Sequence, residues 1–221
     1  MDNKIVVVTG IKGGTGKSTI TSLLANYFRD KNIPVMVCDA DIQGTVKFER
    51  SDDLKIYPEK EPSWDVHWIA VSDDFSRVVK SIQKVPGVVI VDCPGNVDDA
   101  RLCQIYKAAY MAIVPFRYDR KNVKATFEFS RAFNQVSRAM ILYVPNMVSA
   151  FEGFRKSFRD AKAYAEENFK SYSDPCITPK IMDRIELRDS NTLFLTSKQR
   201  GEVRNAFEMI IKYLNLGDYE Q

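Results

Sequence analysis

A single histidine, His67, in 221 residues leaves histidine-based triads out of account. It lies in the strand-like run Val66-His67-Trp68-Ile69, where packing or plain exposure accounts for it. The four cysteines, Cys38, Cys93, Cys103 and Cys176, form no C-x-x-C pair. Cys38 and Cys93 fall within or at the ends of apolar runs, so reduced thiols in a cytoplasmic protein are expected. No apolar run is long enough to span a bilayer, and no signal peptide is recognisable. The charge excess is small, +3 from 32 basic and 29 acidic residues. That balance neither requires nor excludes an anionic partner. Repeats and low-complexity tracts are absent as well.

What the chain does have is apolar material for one large core, 45% of its residues, read as a single domain over residues 1–221. Short β-branched runs alternate with segments of helical period. Strands are expected at 4–9, 34–38, 66–71, 88–92, 110–115 and 140–145, with a weaker one at 176–181. Helices are expected from residue 20 and at 75–84, 98–108, 121–135, 154–169 and 202–215. This alternation predicts an α/β fold with a mostly parallel, twisted sheet covered by helices on both faces. Ligands then bind beyond the carboxyl ends of the strands. The polar stretch 49–65, with Pro58 and Pro62, is expected to be the longest loop.

The densest chemical signal is Lys12-Gly13-Gly14-Thr15-Gly16-Lys17-Ser18-Thr19. It joins an apolar strand to a helix marked by Ile20, Leu23, Leu24, Tyr27 and Phe28. A glycine-rich turn at a helix N-terminus is built to hold phosphate, because its N–H groups and the helix dipole favour an anion. Gly13, Gly14, Thr15, Gly16 and Lys17 would cradle the phosphates through their backbone. Lys17 would reach the β- and γ-phosphates, Ser18 would ligate Mg²⁺, and Thr19 would bond near the α-phosphate. The strict pattern G-x-x-x-x-G-K-[ST] fails at its first glycine, where Ile11 stands. The variant K-G-G-x-G-K-[ST] is met instead, a chance event in roughly one in ten thousand chains of this length.

Two further segments follow in the order such a loop demands. The run 34–38 ends in Asp39-Ala40-Asp41-Ile42-Gln43-Gly44, and the run 88–91 ends in Asp92-Cys93-Pro94-Gly95-Asn96. On these motifs the chain resembles the ParA/MinD family of deviant Walker A P-loop ATPases, closest to the short ParA-type partition ATPases. Specific motifs cover roughly the first half of the chain; beyond Asn146 the likeness is general. The resemblance implies a single-domain P-loop NTPase that binds ATP and Mg²⁺ and hydrolyses ATP weakly by itself. It makes Lys12 the residue that reaches the partner subunit's nucleotide in an ATP-dependent homodimer, against a solvated loop lysine as the plain alternative. Asp41 matches the residue that positions the attacking water, Asp39 one that supports Mg²⁺ through its water shell, and Asp92 the Walker B carboxylate beside the metal. Gly95 and Asn96 read as switch II. Asn146, at the end of the run 140–145, matches an adenine contact; a strand-ending turn asparagine is the alternative.

Three outputs of such a switch compete. Non-specific DNA binding, used to segregate plasmids, chromosomes or other cargo, would draw on Arg155, Lys156, Arg159 and Lys162 on one helix. A second cluster is Lys198, Arg200 and Arg204; a solvated helix face is the alternative for each. The apolar stripe of the first helix is expected at Phe154, Phe158, Ala161, Ala165 and Phe169. Membrane recruitment of the MinD kind is disfavoured, because the chain ends in the acidic run Gly217-Asp218-Tyr219-Glu220-Gln221. Val203, Phe207, Ile210, Ile211 and Leu214 are expected to pack in the core. Related metabolic ligases lack the entrance lysine. The nitrogenase iron protein needs cluster cysteines not recognised here, and the missing N-K-x-D sequence disfavours a Ras-type GTPase. With the loop so near Met1, no N-terminal helix-turn-helix domain is expected. The implied partners are a second copy of the chain, non-specific DNA and a ParB-like or other activating protein.

Overall fold

The computed structural model describes residues 3–95, 99–172 and 177–216. Its strands are β1 (Lys4–Val8), β2 (Val35–Asp39), β3 (Asp65–Trp68), β4 (Val88–Asp92), β5 (Met111–Phe116) and β6 (Met140–Pro145). They form one parallel sheet in the order β3-β2-β4-β1-β5-β6. Between and after them run α1 (Lys17–Asp30), α2 (Thr45–Ile56), α3 (Phe75–Ile82), α4 (Ala100–Ala108), α5 (Arg120–Val136), α6 (Lys156–Asn168), α7 (Ile185–Arg188) and α8 (Ser197–Leu214).

Alternate residues of each central strand enter different cores. Val6, Val8 and Ile90 pack with Leu23 and Leu24 of α1 and Phe207 of α8. Ile5, Val7 and Val91 pack with Ile105 of α4, Phe133 of α5 and Ala165 of α6. Burial on both faces is why these strands read as unbroken apolar runs rather than as alternating ones. The register then sets the working end of the sheet. Val8 pairs with Asp92 and Asp92 with Asp39, so three adjacent strands finish level. The chain leaves β1 toward β2 through α1, whereas α4 carries it from β4 past β1 to β5. Loops part at that point, and ligands bind in the crevice they leave.

The structure departs from the sequence expectations in several places. The stretch 49–65 is not all loop, since α2 runs through Ile56. Its buried residues are Val46 and a cation, Arg50, too little apolar periodicity to announce a helix. Arg50 donates to Thr192 and to the Trp64 carbonyl, which stands in for an apolar anchor. The strand expected at 66–71 stops at Trp68, because Ala70 N–H turns back to the Asp73 carboxylate. In place of a strand at 176–181 there are isolated bridges from Ile177 to Tyr143 and from Met182 to Val148; Cys176 lies outside the described residues. Phe154 is 83% exposed in the short 3₁₀ helix Glu152–Phe154, so it leaves the stripe of α6, while Ala161, Ala165 and Phe169 are buried as expected. The last helix starts at Ser197, five residues earlier than expected, on a capping box between Thr196 and Gln199. Its Val203, Phe207, Ile210 and Leu214 do lie in the core. Among the described residues, no helix is long and apolar enough to cross a membrane.

Candidate nucleotide site

The loop between β1 and α1 needs its glycines for different reasons. Gly14 and Gly16 have φ of +72° and +86°, a region that strains any L side chain. Gly13 has no protein atom within 4 Å of where a Cβ would sit, so the space above it is open. Gly16 is also the N-cap of α1, and no side chain caps that first turn. The helix therefore offers unpaired N–H groups and its positive dipole end to the open side of the loop. Lys17 Nζ and Thr15 Oγ1 both donate to the Lys12 carbonyl, at 3.4 and 3.3 Å. The Lys12 side chain is exposed at the loop edge.

Asn146 does something neither sequence reading anticipated. Its buried amide Nδ2 donates to the Thr15 carbonyl at 2.9 Å, bracing the loop from the end of β6. A Cβ on Gly16 would lie 2.5 Å from that nitrogen. Beside the same residue a cavity of about 250 Å³ opens along α1, lined among others by Thr19, Ile20, Asn146, Met147, Asp183 and Arg184. The residues from 182 onward in that wall come from an irregular segment and the one-turn helix α7, which carry no periodic signal, and the sequence reading missed them.

Asp92 is buried at the end of β4. It accepts from Ser18 Oγ at 2.7 Å and Thr21 Oγ1 at 3.2 Å; Thr21 was not foreseen. Burial pushes its carboxyl up to about 7; the Ser18 bond opposes this, and the charge of Asp39 adds to it. Asp39, in register beside it, is fully buried and likewise raised by burial. Its carboxylate accepts N–H bonds from Asp41, Val46 and Lys47 at 3.1, 2.9 and 3.2 Å. It thereby supplies the cap that Gly44 cannot give to α2. Two buried carboxylates and a hydroxyl form an all-oxygen, anionic corner whose unfavourable charge a hard divalent cation would relieve. Among the described residues no group of three or more His, Cys, Asp and Glu side chains is arranged to hold a metal ion by itself. A site with few protein ligands suits Mg²⁺, which binds through one or two carboxylates and otherwise through water and phosphate oxygens.

Asp41 is half-buried in the turn closed by Gly44 N–H donating to its carbonyl at 2.9 Å. Its carboxylate accepts from Gln43 N–H at 3.0 Å. On the other side, a Cβ on Gly95 would lie 3.1 Å from the carbonyls of Gly10 and Ile11, so the turn after β4 rests against the phosphate loop. Asn96 lies outside the described residues.

The basic clusters are less alike than they looked in sequence. Arg155, Lys156 and Arg159 are exposed at the start of α6, and Lys162 pairs with Glu166 at 3.5 Å. In the second cluster Lys198 pairs with Glu186 and Arg200 with Asp30, leaving Arg204 exposed. Packing of α6 on α5 adds a set the sequence reading did not connect: Arg117, Arg120, Lys121 and Lys124, all exposed.

An open glycine cradle, an uncapped helix, and a hydroxyl–carboxylate pair at the next strand end together define a P-loop protein of the α/β class. The chain belongs to the CobQ/CobB/MinD/ParA nucleotide binding domain family, whose profile matches residues 6–191. No curated protein matches it in sequence. Solved structures of similar fold include apo McdA from Cyanothece, 18% identical with a TM-score of 0.71, covering 96% of this chain and 99% of that one. A putative plasmid partition protein from Borrelia burgdorferi bound to AMPPNP is 18% identical with a TM-score of 0.68, at 96% and 99% coverage. The septum site-determining protein MinD from Pyrococcus horikoshii, complexed with Mg-ADP, is 15% identical with a TM-score of 0.66, at 97% and 96% coverage.

Proposed function

We propose that the protein is a Mg²⁺-dependent ATPase that acts as a dimerisation switch of the ParA type. The observation that carries this reading is the open cradle at Gly13 beside the hydrogen bond from Ser18 to the buried Asp92, within a fold shared with nucleotide-bound partition and MinD proteins. In this reading the N–H groups from Gly13 to Lys17 hold the phosphates, and Lys17 leaves the Lys12 carbonyl for them. Ser18 and Asp92 would hold Mg²⁺, with Asp39 supporting it through water, and the cation would supply positive charge beside the phosphates. Asp41 accepts the hydrogen bond of the attacking water and orients it. Thr19 and Asn146 line the nucleoside side of the site. Lys12, exposed beyond its own loop, reaches the nucleotide of the partner copy in a homodimer. Hydrolysis is slow in isolation, is accelerated by a ParB-like or other protein partner, and resets the dimer.

The dimer's output is non-specific DNA binding, in the cytoplasm and associated with the nucleoid, serving a plasmid, chromosome or other cargo. Arg155, Lys156 and Arg159 are its contacts, with Lys162 and the weaker set Lys198, Arg200 and Arg204. Dimerisation doubles the patch, and phosphate-directed affinity rises steeply with contacts. Duplex DNA binding measured with Mg²⁺ and a slowly hydrolysed ATP analogue, against ADP, tests it across a salt series. ATP-dependent, salt-sensitive binding supports the reading; equal binding or none in both states overturns the DNA output. A second reading, recruitment to a membrane or protein scaffold, draws on Phe151 and Phe154. They are 77% and 83% exposed beside Arg155 and Lys156, and anionic vesicles in the same assay test it.

A further inference from the structure

Trp68 ends β3 directly beside Asp39 in the sheet register, and the next residue, Ile69, donates its N–H to the Asp39 carbonyl. Its indole is 42% exposed, an unusual cost for so large an apolar ring unless its position is needed. Nε1 donates to the Asp41 carbonyl at 3.3 Å. That carbonyl is the one that Gly44 N–H uses to close the turn 41–44. Lys47, in the first turn of α2, holds its ammonium 4.5 Å from the indole ring centre. The turn also has no slack. Gly44 has φ of +59°, and a Cβ there would lie 3.3 Å from Phe48 and 3.6 Å from Trp68 Nε1. Asp41 therefore rides on a turn clamped between a strand end and a helix start. Among the described residues its own carboxylate reaches back into that turn, to Gln43 N–H. On its other side Trp68 lines a cleft of about 650 Å³ with Met36, Cys38, His67 and Val78.

We infer that Trp68 is a positioning residue for hydrolysis, setting the carbonyl of Asp41 and through it the direction of the Asp41 carboxylate. This rests on the reading of Asp41 as the residue that orients water. A side chain that orients a nucleophile loses much of its effect when it shifts by about an ångström. The indole bond fixes the peptide from which that side chain springs. Trp68 bonds to the turn of Asp41 and not to the phosphate loop, so its removal is expected to separate turnover from affinity.

The test compares the full chain with Trp68→Phe, Asp41→Ala and the double variant. Trp68→Phe keeps an aromatic ring beside Lys47 and removes the donor together with the five-membered part of the indole. The expected result is a kcat lower by roughly five- to tenfold with KM within about twofold, the worth of one hydrogen bond felt in the transition state. In the Asp41→Ala background the same change should add nothing, because the group it positions is gone. Hydrogen exchange without nucleotide gives a second readout: peptides covering 41–44 exchange faster in Trp68→Phe, while those from β4 and α5 do not change. Unchanged kcat, unchanged exchange at the turn, or an equal loss in both backgrounds overturns the inference while leaving the role of Asp41 standing. Full turnover by Asp41→Ala overturns the reading of Asp41 itself, and the inference with it.

Discussion

At the scale of single residues the proposed function separates binding from turnover. Among the described residues Lys17 Nζ donates to a loop carbonyl, and its charge partly offsets the burial of Asp92, so the fold leans on it lightly. Lys17→Ala should weaken ATP affinity about a hundredfold, the value of a charged hydrogen-bond partner, with the thermal midpoint nearly unmoved; titration calorimetry and a melting curve check both. Gly16 is the opposite case, where backbone and neighbour both resist a side chain. Gly16→Ala should destabilise the chain by about 1–3 kcal/mol, read by chemical denaturation. Adding Asn146→Ala should return the steric share and not the share due to positive φ. The placement of Lys17 and Ser18 at the start of α1 could be read from the sequence because a glycine loop fixes it within a few positions. Asn146 could be read only as far as its strand, since its bond to Thr15 spans 131 residues. Trp68 and Thr21 gave no motif at all: their partners are set by strand register and helix phase.

Among the elements, α1 is tied to α8 by a polar clamp as well as by the core. Glu208 accepts from Tyr27 Oη at 2.6 Å and pairs with Lys31 at 2.6 Å. Partial burial would raise the Glu208 carboxyl, but the bonds from Lys31 and Tyr27 outweigh it and hold the group below its ordinary value of 4.5. A carboxylate depressed in the folded state stabilises fully above its unfolded value, and that contribution is lost as pH falls through the lower, folded one. Glu208→Gln should therefore lower stability across the neutral range and, with no carboxylate left to protonate, flatten the acid limb below about pH 4.5; urea midpoints across pH check it. The strands were legible because burial on both faces writes them as apolar runs. The helix α2 was not, because its anchor is the guanidinium of Arg50, and periodicity records only apolar anchors. The start of α8 was present as the capping pattern Thr196 to Gln199 and was passed over in favour of the apolar stripe farther on.

For the whole molecule the proposed switch makes a prediction in which chemistry and assembly diverge. Asp41→Ala should keep ATP bound and remain dimeric, so light scattering should find the dimer outlasting that of the unaltered chain. A monomer with bound ATP counts against the role of Asp41 as the reset. Arg155→Glu with Arg159→Glu should lower DNA affinity at least tenfold and flatten its salt dependence, leaving ATP affinity within twofold. The surface was only half legible: α6 wrote its cations at helical spacing, while the contribution of α5 arises from how the two helices pack. Assembly also depends on where the sheet stops. A parallel sheet has two open margins, and an unguarded one can recruit strands from other copies without limit. Here one margin is β3, four residues long with Asp65 and His67 exposed. The other, β6, is bridged by Ile177 at Tyr143 and ends in Pro145. Both margins disfavour growth by strand addition, which would let copies in the proposed dimer meet at their strand-end loops and part again without seeding a fibre.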